Sequence, residues 1–408
     1  MFTANILDYG ASENAPDNAA SIQAAIDACE GGGIVTVPAG TFTSGGLSLK
    51  SNITLRLEKG ASLRGSADFR AYDLKLADTG WGGGGVGVSG PNWFDAFISG
   101  LGAENITIEG EGEVDGADCI NPDGEEGFRG PHCLRFTRCR NISVSGVTIR
   151  RSANYAVFFI HSANLSVDNI QVRGGHDGVH AQRCRNMTVS GCDFKTGDDC
   201  IAGSDNENFA IRDCNFNTSC NGFRLGCMNL TVERCRFWGP GESPHRVSKR
   251  NNMLCAMVHF APEDRDTLLA SGNWQISDVE VDRVDRLYEA NHRGDGWQGG
   301  KPATTVSFER VKASNVERPV FLAGKPPRAM RLRVKDSCIA LREGAENLPV
   351  IDADCFEAIM LENVTLEGNI NAPAIKAADG GRIVMKDVKY SGGVETADID
   401  LYDLKNPV

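Results

Sequence analysis

The segment Asn141-Ile142-Ser143-Val144 opens a pattern that occurs five times, in which an asparagine is followed by apolar residues at alternate positions. The other four copies are Asn164-Leu165-Ser166-Val167, Asn186-Met187-Thr188-Val189, Asn208-Phe209-Ala210-Ile211 and Asn229-Leu230-Thr231-Val232. The asparagines are 23, 22, 22 and 21 residues apart. Alternation with a period of two predicts strands with one buried face, and such short units bury that face only by stacking on one another. The repeat therefore predicts an all-β fold, a single-stranded right-handed parallel β-helix (solenoid).

Weaker copies of the pattern at 52–55, 105–108 and 363–366 extend the repeat over most of the chain, so we expect one domain spanning 1–408. Toward the start, Asp17 can cap a helix over 17–29 that ends at three glycines and covers the open end of the first coil. The glycines at 82–85 and the stretch 239–272 are expected to form long loops. In a solenoid such insertions gather on one face and form the walls of a binding site.

Composition excludes several classes of protein. The formal net charge of −12 argues against nucleic acid as the main partner, because phosphate binding needs a basic face. No segment approaches the roughly 20 apolar residues needed to cross a bilayer, so we expect no membrane partner. Arginines concentrated in one cleft could still bind an anionic sugar.

The cysteines indicate reduced, buried thiols. Their number is 14, but their spacing matches neither a small disulfide scaffold nor a pair of zinc-binding hooks. Cys139, Cys184, Cys214 and Cys235 recur within the repeats, as small side chains that fill the interior would. Together with a first segment that lacks the features of a signal peptide, this predicts a cytoplasmic protein. Secretion or periplasmic export, with the signal peptide already removed, is the alternative.

A step of 22 residues places acidic and aromatic side chains above one another, about 4.8 Å apart along the stack. One column is expected to hold Tyr155, Asp177, Asp199 and Asn221, the next Asn154, His176, Asp198 and Cys220, and a third Phe158, His180 and Arg224. Stacked carboxylates repel, which should raise the pKa of at least one of them, as a general acid near neutral pH requires. Glycosidases use two such groups, one to protonate the leaving oxygen and one to activate water or attack the sugar.

The motifs Gly175-His176-Asp177-Gly178 and Gly197-Asp198-Asp199 resemble the Asp-Gly and Gly-Asp-Asp motifs of glycoside hydrolase family 28. That family contains polygalacturonases and rhamnogalacturonan hydrolases. Earlier pieces, among them Asp8-Tyr9-Gly10-Ala11 and Val37-Pro38-Ala39-Gly40, are shared with the wider pectate-lyase-like superfamily. The similarity is clearest from Ile6 to Phe237.

The resemblance implies that Asp198 is the general acid and that Asp177 and Asp199 act as base. It also implies inversion of configuration, whereas stacking at one strand spacing suggests the shorter carboxylate separation of a retaining enzyme. The residues expected to bind substrate are His176, His180, Asn221, Arg224, Tyr155, Arg246 and Lys249. No metal and no cofactor are expected.

Two departures from the family pattern bear on the substrate. Where a Gly-His-Gly element is expected the chain reads Cys220-Asn221-Gly222, so that Asn221 replaces a histidine. The Arg-x-Lys element that grips a galacturonate carboxylate is also not evident, and Arg224, or Arg246 with Lys249, are possible substitutes. Rhamnogalacturonan hydrolases also lack that histidine. The sequence therefore supports hydrolysis as the reaction more strongly than it supports plain polygalacturonan as the substrate.

The function expected from the sequence is hydrolysis of a pectic or related plant-type glycan, with carbohydrate as the partner. A lyase or epimerase of uronic acids on the same scaffold is the first alternative. It would use calcium or a basic residue to acidify the proton beside the carboxylate. A non-catalytic glycan-binding β-helix is the second, and the acidic column disfavours it, because a binder of anionic sugar should avoid carboxylates.

Overall fold

The structure is a computed structural model that describes residues 2–72, 95–262, 269–293, 301–368, 371–390, 394–395 and 399–401. The chain divides into two compact units, Met1–Asp198 with His245–Lys249 (unit 1) and Asp199–Pro244 with Arg250–Val408 (unit 2). The loop expected at 82–85 lies outside the described residues. A single domain over 1–408 stays a prediction. In the described part of the chain, no helix has the length and apolar character needed to span a membrane.

The described part of unit 1 contains one α-helix, α1 (Ala19–Ala28), and 3₁₀ turns at Ile6–Tyr9, Phe69–Tyr72 and Glu125–Gly127. Its described strands are β1 (Phe2–Asn5), β2 (Gly33–Val37), β3 (Gly40–Ser44), β4 (Leu47–Leu49), β5 (Ile53–Leu57), β6 (Ala61–Gly65), β7 (Ala96–Leu101), β8 (Glu104–Gly110), β9 (Glu113–Asp115), β10 (His132–Thr137), β11 (Arg140–Ser145), β12 (Thr148–Arg150), β13 (Val157–Ile160), β14 (Ala163–Asp168), β15 (Gln171–Arg173), β16 (Val179–Gln182), β17 (Arg185–Ser190) and β18 (Asp193–Thr196).

The strands of unit 1 form coils of three strands that stack in parallel. Strand β10 pairs with β13 and β13 with β16, β11 pairs with β14 and β14 with β17, and β12 pairs with β15 and β15 with β18. Each parallel register brings like positions together, so that Ile142 faces Leu165 and Leu165 faces Met187. All three side chains are buried. The repeat thus forms the stacked strands that it predicts.

The repeated asparagines form a ladder along unit 1. In each neighbouring pair, Nδ2 of the later residue donates to Oδ1 of the earlier one, at 2.8 to 3.1 Å. The members are Asn52, Asn105, Asn141, Asn164 and Asn186. All five have φ between 57° and 63°, the left-handed conformation that asparagine tolerates better than most residues. The asparagine therefore recurs because each coil needs both this backbone geometry and an amide.

The predicted cap helix is present, with slightly different ends. Helix α1 packs against β1 and β4, and Ile22, Ala25 and Ile26 are buried. Asn18 rather than Asp17 occupies the N-cap position, and its side chain makes no capping bond. Asp17 Oδ1 instead accepts hydrogen bonds from the backbone N–H of Ala19 and Gly45 at 2.8 and 2.9 Å, which ties the helix to the first coils.

Unit 2 has only strands among its described regular elements. They are β19 (Ile201–Arg212), β20 (Asn215–Thr218), β21 (Asn221–Glu233), β22 (Arg236–Trp238), β23 (Met253–His259), β24 (Gly272–Ser277), β25 (Glu280–Asp282), β26 (Val284–Asn291), β27 (Thr305–Glu309), β28 (Lys312–Val316), β29 (Val320–Ala323), β30 (Arg331–Leu341), β31 (Ile351–Glu367), β32 (Ile375–Tyr390), β33 (Val394–Glu395) and β34 (Ile399–Leu401).

Unit 2 has the same coiled parallel arrangement. Strand β21 pairs in parallel with β19 and continues along both β23 and β24, while β31 pairs along most of its length with β32. The short strands β33 and β34 pair antiparallel, both with β32. The ladder recurs here, because Asn229 donates to Asn208 and Asn273 to Asn229, both at 2.9 Å.

The prediction of one long loop over 239–272 is wrong in part. Residues Met253–His259 form β23, and β24 already begins at Gly272. Strand β23 is buried at nearly every position, so its sequence lacks the alternation that would have revealed it. The region without a helix or strand that precedes it is 239–252.

The prediction about the cysteines is confirmed. All fourteen are free, and thirteen of them are buried, with Cys338 partly exposed. Burial raises the pKa of the Cys133 thiol and of the Cys184 thiol to about 12. Thiols of this kind are small apolar fillers that do not ionise near neutral pH.

Candidate active site

Asp177 is oriented in unit 1 by the histidine three residues later. It lies in the turn before β16, and its Oδ2 is 2.8 Å from Nδ1 of His180. The His180 ring lies parallel to the Tyr155 ring, with 4.3 Å between centroids and 5° between planes. Both Asp177 and His180 are only 4% exposed. His180 therefore contacts both Asp177 and Tyr155, and all three residues are largely shielded from water.

Asp198 lies in unit 1 beside two cationic or proton-donating side chains. Its Oδ2 is 3.5 Å from Nη2 of Arg129 and 3.7 Å from Nε2 of His245. Burial alone would raise the pKa of Asp198, but the His245 imidazole and the Arg129 guanidinium outweigh it and hold that pKa well below its usual range. The sequence predicted a raised pKa for at least one of the stacked carboxylates, and Asp198 is not that one.

The predicted neighbours in unit 1 are confirmed. The backbone N–H of His176 donates to the carbonyl of Asn154, and that of Asp198 to the carbonyl of His176, each at 3.4 Å. Phe158 and His180 face each other in the register of β13 and β16. Carboxylate oxygens of Asp177 and Asp198 lie within 4.8 Å of one another. Two carboxylates at this spacing can act on the same bond.

His176 has a buried imidazole and is only 1% exposed. Its ring stacks on Phe128 at 5.7 Å, and Nε2 has no hydrogen-bond partner among the described residues. Burial and the charges of Arg129 and Arg246 lower its pKa well below the ordinary value. His176 is therefore neutral near pH 7.

The carboxyl group with a raised pKa is Glu125, which sequence reasoning did not single out. Burial raises its pKa to about 7 against the opposing charge of Arg129, and Glu126, Asp177 and Asp198 add to the rise. Its Oε2 lies 3.5 Å from Nε of Arg129, whose guanidinium also binds Glu126 at 2.9 Å. Arg129 is 9% exposed, so this buried cation joins a pair of glutamates to Asp198.

Asp199 is held in unit 2 by contacts to both of its carboxylate oxygens. Asn221 Nδ2 donates to Oδ1 at 2.8 Å, and Arg224 Nε donates to Oδ2 at 3.0 Å. The Arg224 guanidinium also lies over the Phe260 ring, 4.1 Å from its centroid. A residue fixed in this way is oriented before any ligand arrives.

Arg246 and Lys249, the other candidates for binding a carboxylate, both lie in unit 1. Arg246 forms an ion pair with Asp118. Lys249 is exposed, has φ 60° and donates its backbone N–H to the carbonyl of His245 at 2.9 Å. Both therefore belong to the segment that carries His245.

Sequence reasoning missed His245, Arg129 and Glu125 for one reason. All three lie in insertions between strands, at 116–131 and 239–252, where the 22-residue step has no counterpart. Asp123, Glu125 and Glu126 with Arg129 form a charged cluster next to glycines, which was the available signal. A metal cation at Asp198 would be repelled by the positive charge of Arg129, which already neutralises the carboxylate of Asp198 within unit 1.

Comparison with known proteins agrees with this geometry. The sequence profile described as "Glycosyl hydrolases family 28" matches residues 30–228. An exo-poly-alpha-D-galacturonosidase of Dickeya chrysanthemi is 30% identical over 247 residues, which cover 48% of this chain and 41% of that protein. An endo-polygalacturonase of Pectobacterium parmentieri is 23% identical over 252 residues, covering 54% and 61%. The chain thus spans about half the length of the curated relatives that it matches.

A solved structure is similar over nearly the whole chain. The hyperthermoactive exopolygalacturonase of Thermotoga maritima superposes with a TM-score of 0.68 at 20% identity, covering 98% of this chain and 94% of that one. The predicted fold class, a right-handed parallel β-helix, is confirmed by this likeness and by the stacked parallel strands. The resemblance read from the aspartate motifs is confirmed as well: over residues 30–228 the chain is similar to the family 28 glycosyl hydrolases.

Proposed function

We propose that this protein is a glycosidase that hydrolyses a pectic polysaccharide or oligosaccharide of the galacturonan type. The observation that carries the proposal is the approach of Asp177 and Asp198 within 4.8 Å, inside the segment that matches family 28. Two carboxyl groups at the scissile bond are the common requirement of glycosidases. The relatives named as galacturonan-cleaving enzymes support a polyuronide as the substrate.

In this mechanism Asp198 protonates the leaving glycosidic oxygen, and Asp177 and Asp199 activate the water. His180 and Tyr155 support the base Asp177, as Asn221 and Arg224 support Asp199. We expect Arg246 and Lys249 to bind a uronate carboxylate, because they are cations on the segment that carries His245 next to Asp198.

Inversion of configuration is part of the proposal, although carboxylate oxygens of Asp177 and Asp198 within 4.8 Å are nearer the spacing of a retaining enzyme. An inverting enzyme needs a water activated by one carboxylate while another protonates the leaving group. We assign the water to Asp177 and Asp199, so that Asp198 remains the acid. Proton NMR of the first product formed should show the anomer opposite to that of the cleaved linkage, and the same anomer would contradict inversion.

The pH dependence follows from the environment of the acid. Because His245 and Arg129 favour the ionised form of Asp198, the protonated acid is most abundant in acidic solution. We therefore expect kcat/KM to rise as the pH falls, until the base aspartates become protonated. An enzyme most active in alkaline solution would contradict Asp198 as the acid.

The experiment that tests the function is a screen of defined pectic oligosaccharides, followed by reducing-end release and ultraviolet absorbance in the same samples. Hydrolysis releases reducing ends without a new absorbance. An absorbing product, or a requirement for calcium, would identify a lyase instead. Binding without release of reducing ends would identify a non-catalytic glycan-binding protein.

A further inference from the structure

We propose that His245, in the inserted segment 239–252, is a positioning residue that holds Oδ2 of Asp198 through its Nε2–H. The inference rests on the proposed function, in which Asp198 is the acid. His245 lies outside the repeated coils, and three features of unit 1 support this role.

The first observation fixes the tautomer of His245. The backbone N–H of Ser248 donates to Nδ1 of His245 at 3.0 Å, and the Ser248 hydroxyl lies at the same distance. A ring nitrogen that accepts from a backbone N–H carries no proton, so the proton of the neutral imidazole is on Nε2. His245 therefore presents an Nε2–H donor on the side of the ring opposite Ser248.

The second observation is where that donor lies. Nε2 is 3.7 Å from Oδ2 of Asp198, and the two side chains are 13% and 16% exposed. This distance is longer than a hydrogen bond, and contacts of this kind often tighten when the substrate binds. Little water competes for the contact at these exposures.

The third observation is that Arg129 Nη2 approaches the same oxygen at 3.5 Å. Two N–H donors at Oδ2 favour negative charge on that atom, so the protonated form of Asp198 carries its hydrogen on Oδ1. His245 and Arg129 together thus define which oxygen gives its proton to the leaving group. The titratable or charged groups around this carboxyl in unit 1 include His245, Arg129, His176, Glu125 and Asp177.

The placement also accounts for a departure in the sequence. The family motif would have a histidine at position 221, but Asn221 stands there and contacts Asp199. In this chain an imidazole comes to Asp198 from the inserted segment instead. The hydrogen bond from the Lys249 backbone to the His245 carbonyl, at 2.9 Å, closes the turn that presents it.

The kinetic test compares His245→Ala, His245→Gln and the control His161→Asn. His245→Ala should lower kcat by about 10²-fold, the low end of general acid–base effects, with KM changed less than about threefold. His245→Gln should recover roughly tenfold of that loss, because its amide N–H can donate without titrating. His161 lies in a turn of unit 1 with φ 50°, where asparagine is tolerated, so kcat should not change.

A second test does not depend on hydrolysis. Nitrogen-15 NMR of labelled histidine should show His245 protonated on Nε2, and carbon-13 NMR should show that Asp198 titrates at higher pH in His245→Ala. Those two results in a protein that cleaves no glycan would refute the proposed function and keep the placement of His245. A proton on Nδ1, an unchanged Asp198 titration, or His245→Ala with kcat within twofold of an active wild type would overturn the proposal.

Discussion

Arg224 donates from Nε to Oδ2 of Asp199 at 3.0 Å while its guanidinium lies 4.1 Å from the centre of the Phe260 ring. The aromatic face restricts where the planar group can lie, and the carboxylate fixes how it is rotated. Asn221 contacts the other oxygen of Asp199. The arginine thus orients an aspartate as well as adding positive charge near it.

Arg224→Ala should therefore lower kcat by at least about tenfold, because Asp199 loses its charged partner. The kcat of Arg224→Lys should lie between those of Arg224→Ala and the wild type, since the ammonium keeps the charge but lacks the planar fork. Asn221→Ala should cost less than Arg224→Ala. Steady-state kinetics on the best substrate of the screen measure all three, and the reverse order would show that the amide rather than the guanidinium holds Asp199.

Asp198→Asn should lower kcat by about 10²–10⁴-fold, because the amide cannot donate the proton that the leaving oxygen needs. Folding should be intact, since the two side chains have the same shape. Asp177→Asn should also be severe, and the double variant should lose less than the product of the two effects, because both act on one event. The matched control is Asp213→Asn, in an exposed turn with φ 55° that asparagine tolerates. Near-normal turnover by Asp198→Asn would exclude it as the acid.

Glu125 makes the stability of the fold depend on pH. Its pKa in the folded protein is about 7, against an ordinary value of 4.5, so the folded state binds this proton more tightly than the unfolded state. The resulting stabilisation is complete below about pH 4.5 and is lost as the pH rises through about 7. Glu125→Gln should flatten this part of the profile of unfolding free energy, measured by urea unfolding between pH 4 and 8. The exposed Glu58→Gln should keep the wild-type profile, and an unchanged profile in Glu125→Gln would contradict the burial of this carboxyl.

The contribution of the asparagine ladder to stability should be measurable at Asn164, which donates to Asn141 and accepts from Asn186. Asn164→Gly keeps the left-handed backbone accessible but removes both bonds, so it should cost about 1–3 kcal/mol of unfolding free energy. Asn164→Ala should cost about 1 kcal/mol more, the backbone penalty of a left-handed residue with a Cβ. Equal stability of the two variants would show that the φ of 59° carries no cost here.

The thiols should be free and slow to react. Titration of unfolded, unreduced protein should find about fourteen, as the structure shows. In the folded protein a thiol reagent should modify Cys338 first, because it alone is partly exposed. Reaction of Cys133 and Cys184 should follow the rate of unfolding, since burial raises the pKa of each to about 12. Rapid labelling of several thiols at neutral pH would contradict the packing.

The sequence was sufficient for whatever depends on the repeat. The strands around Asn141, Asn164 and Asn186, and the stacking of His176 on Asn154, follow from one spacing rule applied along the coils. This rule also predicted that Asp177 and Asp198 would lie on neighbouring coils. Strand β23 was not predicted, because its sequence has neither the repeated asparagine nor an alternation of apolar and polar residues.

The charge balance of the site could not be predicted in this way. Spacing located the carboxylates, but Arg129 and His245 come from insertions whose path depends on contacts far away in the sequence. Without these groups burial would raise the pKa of Asp198; with them the pKa falls. Predicting the sign required the position of every cation around the carboxylate.

In unit 1 every hydrogen bond of the ladder is donated by the later asparagine to the earlier one, so the ladder has a single direction. A whole coil inserted between two members would accept from the next asparagine and donate to the previous one, leaving no amide unmatched. The solenoid can therefore be lengthened by duplication of a coil. The number of coils can change one coil at a time, without any change in the turns that carry Asp177 and Asp198.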